Sequence, residues 1–125
     1  MLMSIQTEES VTYNFTLEGR VVPKATPRHN GKRAYLPLRY REWKEDAIAQ
    51  LHSQCGLFPP IEKSAVNIEI YGSSIGDSDN ISGAILDALV QSFIILDDRL
   101  SCVPKLSLEY FPSKSKYAVV NITTL

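Results

Sequence analysis

From Ser64 to Asp98 the chain carries no lysine or arginine, yet Glu69, Asp77, Asp79, Asp87, Asp97 and Asp98 all fall there. Carboxylates concentrated without basic partners repel one another unless something positive sits among them. A divalent ion is the obvious candidate, because hard cations such as Mg²⁺ take oxygen ligands and are held by a few carboxylates together with substrate phosphate. A complementary feature lies upstream. From Gly19 to Arg41 there is no Asp or Glu, while Arg20, Lys24, Arg28, Lys32, Arg33, Arg39 and Arg41 are all basic. One segment has the chemistry to hold a metal, the other to hold an anionic polymer.

At 125 residues the chain is expected to form a single domain over 1–125, with 1–10 a flexible N-terminal tail. Its 44% hydrophobic and 22% charged residues are those of an ordinary globular protein. A net charge of −1 excludes coating nucleic acid by bulk electrostatics, so any such contact must come from a local patch. Cys55 and Cys102 have no metal-site spacing and read as two free thiols in a reducing cytoplasm. The polar, acidic start from Met1 to Ser10 resembles neither a signal nor a transit peptide. No apolar run approaches the roughly 20 residues needed to span a bilayer. A soluble, cytoplasmic protein is expected.

Residues Val11 to Leu17 alternate apolar and polar, which suits a half-buried strand ended by Gly19. Pro23, Pro27, Gly31 and Pro37 then mark an extended loop, long enough to be functional. A helix is predicted over Arg39 to Gln54, with Trp43, Ala47, Ile48 and Leu51 on one apolar stripe. Gly56 and Pro59-Pro60 stop it. A second strand follows over Ala65 to Tyr71, and after the Gly72 to Gly76 turn Asp77 to Asn80 lead into a second helix. There Ile81, Ala84, Ile85, Ala88 and Leu89 make the inward face, and the helix ends near Gln91. Two strands close the domain, Lys105 to Tyr110 and Tyr117 to Thr123. The order β-α-β-α-β-β predicts an α+β fold, a mixed sheet with two packed helices.

On the second helix Asn80, Gly83 and Asp87 share a stripe away from the apolar one, and Asp77 and Asp79 stand just before the first turn, where negative charge is favoured. Taken singly, Asp79 reads as an N-cap and Asp77 as an Asx-turn residue. Capping explains the pair poorly, because one cap needs one carboxylate. An EF-hand is excluded, since Ser82 and Ala88 stand where glycine and glutamate are required. Zinc and Ser-His-Asp chemistry lack support, because the two histidines, His29 and His52, are isolated.

The spacing Asp77-x-Asp79-Asn80, then Asp87-Ala88-Leu89, then a short apolar segment and Asp97-Asp98, resembles the RusA family of Holliday junction resolvases. So does Pro23-Lys24-Ala25-Thr26-Pro27-Arg28, which is similar to that family's basic loop after the first strand. The resemblance covers most of the chain. It implies a homodimeric, Mg²⁺-dependent endonuclease that resolves four-way DNA junctions by paired nicks, with Asp77, Asp79 and Asp98 as the catalytic, metal-holding residues. Asn80, Asp87 and Asp97 match the pattern as accessory candidates. The family pattern continues D-x-D-N-x-x-K, and the position of that lysine is here Gly83. Either another cation reaches in, with Lys24, Arg28 and Lys105 as candidates, or activity is weak or absent.

On this reading Mg²⁺, or Mn²⁺ in its place, activates water and neutralises the leaving oxygen. Lys24, Arg28, Lys32, Arg33 and Arg39 supply DNA-phosphate contacts, and Tyr35 and Tyr40 are candidates either to stack on exposed bases or, with at least equal claim, to pack in the core. The stretches Phe93 to Leu96 and Leu57 to Pro60 are candidate dimer surfaces and, equally, candidate core. Two alternatives stand beside it: a catalytically silent protein binding branched DNA on the same fold, and a metal-dependent nuclease acting on flaps.

Overall fold

The computed structural model describes residues 10–25, 28–31, 33–56, 58–73 and 76–125, with the backbone alone described at 28–30 and at 33 and 34. The expected tail lies outside the described residues except for Ser10. The elements are β1 (Thr12–Glu18), β2 (Arg28–Asn30), β3 (Arg33–Tyr35), α1 (Leu38–Gln54), β4 (Ser64–Gly72), α2 (Ser78–Gln91), β5 (Lys105–Pro112) and β6 (Tyr117–Thr124). Four strands form one mixed sheet in the order β1-β6-β4-β5. Only β4 and β5 run parallel, and a parallel pair needs a crossover, which α2 supplies. The expected α+β order therefore holds for the main elements. The addition is the short antiparallel pair β2–β3 inside the supposed loop, with Gly31 at its turn taking the positive φ of 64° that side chains avoid.

Strand β4 is central, and its burial alternates along its whole length. Val66, Ile68 and Ile70 face the core with Phe15 and Leu17 of β1 and Ala118, Val120 and Ile122 of β6. The predicted inward face of α2 is all buried, with Ala84, Ile85, Ala88 and Leu89 at 0% exposure. The opposite side of the sheet is polar. Asn14, Asn121, Asn67 and Ser107 lie in register across all four strands. Each passes a hydrogen bond to the next: Asn121 Nδ2 donates to Asn14 Oδ1, Asn67 Nδ2 to Asn121 Oδ1 at 3.2 Å, and Ser107 Oγ to Asn67 Oδ1 at 2.6 Å. Next to this ladder Phe111, Tyr71 and Tyr117 stack with ring centroids 4.9 and 4.5 Å apart.

Helix α1 corrects its predicted stripe. The buried positions are Tyr40, Lys44, Ala47 and Leu51, with Trp43 only partly buried at the border. The stripe is rotated because a polar group of α2 sits inside the helix pair. Lys44, 9% exposed, reaches Asp87 Oδ2 at 3.3 Å, and the Tyr40 hydroxyl donates to the same oxygen at 2.8 Å. A lysine is tolerated in such a place when it is paired. Burial pushes the Asp87 carboxyl up, but the Tyr40 hydroxyl and the Lys44 and Lys24 charges outweigh it and hold the group below the ordinary aspartate range. Burial, reinforced by Asp87, drives the Tyr40 hydroxyl well above its usual value. Tyr40 thus clips α1 to α2 and, 1% exposed, takes the core position of its two alternatives rather than the base-stacking one.

This clip has a signed pH dependence. A carboxyl depressed in the folded state stabilises above its unfolded pKa, and that contribution is lost as pH falls through the folded value. Asp87→Asn is therefore expected to lower unfolding stability by about 2 kcal/mol at neutral pH, as the loss of a hydrogen bond between charged groups does. Urea unfolding of both proteins should show the gap at neutral pH and show it closing below the ordinary aspartate range.

Candidate functional site

Strand β4 ends at Gly72, and Gly76, just before α2, takes a φ of 142°. A Cβ there would meet Pro23 Cγ at 2.6 Å, so only glycine permits both the backbone and the contact. Asp77 follows in extended geometry as the N-cap of α2, but its side chain makes no capping hydrogen bond. Asp79 lies in the first turn. Both are exposed, and among the described residues neither carboxylate has an ion pair or a side-chain hydrogen bond. The capping and Asx-turn roles that would account for them locally are thus unused. The helix dipole favours negative charge in this turn, which helps the fold tolerate the pair.

The basic segment meets this acidic end directly. Lys24 N–H donates to the Asn80 carbonyl at 2.9 Å. Further along the stripe, a Cβ on Gly83 would lie 3.3 Å from Lys24 Cδ and 3.8 Å from its Cβ. Glycine inside a helix costs about 1 kcal/mol relative to alanine, and here the space it leaves is taken by the lysine stem. Pro23 and Lys24 are thereby laid over the first two turns of α2. Of the three cations considered for the Gly83 position, Lys24 is the one seated there. Lys105 begins β5 opposite Ala65, at the far end of the sheet, and Arg28 lies in β2. Arg33 lies in β3, Arg39 is exposed in the first turn of α1, and Lys32 falls outside the described residues. Tyr35 is 48% exposed.

The second acidic pair is elsewhere. Leu96 N–H donates to the Ile61 carbonyl and Ser64 N–H to that of Cys102, which pins residues 96–102 at the start of β4. The 14 residues of α2 advance about 20 Å, so Asp97 and Asp98 stand at the opposite end of that helix from Asp77 and Asp79. Among the described residues no group of three or more His, Cys, Asp or Glu side chains is gathered to hold a metal. Within one chain, then, the donor set is two unpaired carboxylates, chemically suited to Mg²⁺ but short of a full protein cage. Asp97 is occupied: it accepts the Asp98 N–H at 2.7 Å and the Arg99 guanidinium at 2.7 and 2.6 Å. Those donors, the Asp98 N–H first, hold its carboxyl below the usual range. Asp98 is exposed and free of ion pairs among the described residues.

Beside the Asp77 turn lies a cleft of about 230 Å³ lined by Ile70, Gly76, Ser78, Ile81, Leu108 and Tyr110. No sequence pattern signals it, since its walls come mainly from three separated elements, β4, α2 and β5. The Tyr110 hydroxyl closes one side by donating to the Gly72 carbonyl at 2.7 Å. Of the candidate dimer stretches, Phe93 and Leu96 are exposed while Ile94 and Ile95 are core. Phe58 stacks on Tyr13 at 5.0 Å, and Leu57 lies outside the described residues. His52 is hydrogen-bonded to the Ser92 carbonyl at 3.1 Å, and Cys55 and Cys102 are free thiols.

The family model of one class of DNA-cutting enzymes matches residues 18–123, from the end of β1 into the end of β6. That family is Endodeoxyribonuclease RusA, and the chain belongs to it. Membership implies endonuclease action on Holliday junctions. No curated protein matches the chain. No described helix is long and apolar enough to cross a membrane.

The Gly76 contact can be tested alone. Gly76→Ala must accept a forbidden φ and push Pro23 away, and should cost about 1–3 kcal/mol in thermal unfolding. Gly56→Ala, with nothing within 4 Å of its added methyl, should stay within about 0.5 kcal/mol of wild type.

Proposed function

We propose that this protein is a Mg²⁺-dependent endodeoxyribonuclease that binds branched DNA as a homodimer in the cytoplasm and resolves four-way junctions by paired nicks. The observation that carries this reading is the Asp77–Asp79 pair, exposed and unpartnered at a helix start against which the basic segment is packed. Asp77 and Asp79 would hold the metal at one end of α2. Since Asp98 of the same chain stands at the other end, the third carboxylate is supplied by the partner subunit's Asp98. A C₂ dimer then carries two equal sites, matching the two-fold symmetry of a four-way junction.

When bound, the metal supplies an activated water and charge neutralisation at the leaving oxygen. Mn²⁺, which favours the same oxygen ligands, should replace it. The protein's own residues bind and orient. Lys24, Arg28, Lys32, Arg33 and Arg39 contact phosphates and set the register of the strand without reading its bases. Binding therefore weakens steeply with salt. Asn80 fixes the Lys24 backbone, and Asp87 ties the site helix to α1. Asp97 holds the Asp98 turn through Arg99.

On a synthetic junction with Mg²⁺, Asp77→Asn and Asp79→Asn should each nick at least about a hundredfold more slowly while retaining the junction on a gel. Wild-type activity in both variants would remove the assignment. Mixing Asp77→Asn with Asp98→Asn chains tests the shared site: each mixed dimer would regain one intact carboxylate set and nick one strand. No recovery on mixing would place Asp98 outside the shared set. Retention by the wild type without nicking would leave a junction-binding protein without catalysis.

A further inference from the structure

We propose that Lys24 is the cation that contacts the scissile phosphate at the Asp77–Asp79 end, seated there by Gly83; this deepens the nuclease reading and rests on it. Three contacts hold the residue in place. Its N–H is bonded to the Asn80 carbonyl at 2.9 Å, the Pro23 ring before it closes over Gly76, and its own stem crosses the helix at Gly83. A lysine stem ordinarily samples many rotamers, and packing over one helical turn while the backbone is tied to another removes much of that freedom.

The charge itself remains available. Lys24 is exposed, and among the described residues the two ion pairs are Lys44 with Asp87 and Arg99 with Asp97. Asp87 senses the Lys24 charge, but its direct partners are Tyr40 and Lys44. Lys24 carries an ammonium with no ion pair among the described residues, on a backbone tied to Asn80 beside Asp79, and an anion drawn to the first turn of α2 would meet it. A phosphodiester is such an anion. In its hydrolysis a water oxygen bonds to phosphorus as the bond to the leaving sugar oxygen breaks. One water proton ends on that oxygen and the other on the new phosphomonoester. Negative charge grows on the phosphoryl and leaving oxygens meanwhile, where a fixed cation stabilises it.

The test uses the full chain on a synthetic four-way junction, with single-turnover nicking in Mg²⁺ at saturating protein and affinity measured in EDTA. Lys24→Gln should slow nicking by about a hundredfold, with affinity changed less than about fivefold because the other cations persist. Lys24→Arg should recover most of the rate. Gly83→Leu, whose side chain displaces the stem, should also nick slowly yet melt no lower than wild type. If saturated Lys24→Gln or Gly83→Leu nicks at the wild-type rate, the inference fails and the nuclease reading stands. If the wild type binds the junction and does not nick it, both fail together.

Discussion

The packing of Pro23 and Lys24 on the first two turns of α2 joins the two oppositely charged halves of the sequence. It depends on missing side chains, at Gly76 for the proline ring and at Gly83 for the lysine stem. At Gly76 an added Cβ would meet the Pro23 ring at 2.6 Å and force it away, whereas at Gly83 it would press on the flexible lysine stem at 3.3 Å.

The remaining acidic side chains divide by whether the fold has engaged them. Asp87 is engaged by Tyr40 and Lys44, and Asp97 by Arg99 and the backbone. Both engagements hold the carboxyl in its charged form. Asp77, Asp79 and Asp98 are left without ion pairs among the described residues. An exposed carboxylate needs no partner to be stable, so leaving these three unpaired costs the fold little.

Much of the fold was readable from period alone. The five inward positions of α2 stand at helical spacing and are all buried, and the β4 alternation is continuous from end to end. The α1 stripe was misjudged by about one position, because apolar counting cannot foresee a lysine buried against an aspartate 43 residues away. The β2–β3 pair was missed since three-residue strands carry no usable period. At the site, the Asp77–Asp79 pair and the basic segment were visible as charge runs. Their meeting was not, because it rests on a backbone hydrogen bond and two glycine contacts. The separation of Asp98 from the first pair was equally hidden, for a motif written along one line says nothing of how far the helix inside it carries its ends apart.

The row of amides across the uncovered side of the sheet also affects how the strands find one another. Side chains alternate sides at every step, so a strand displaced by one residue would turn its asparagine inward and its isoleucine or valine out to water. Such a misalignment forfeits buried hydrocarbon and strands a polar group in the interior at the same moment. The correct alignment is thus selected from both sides of the sheet, and a wrongly paired chain has every incentive to let go and try again.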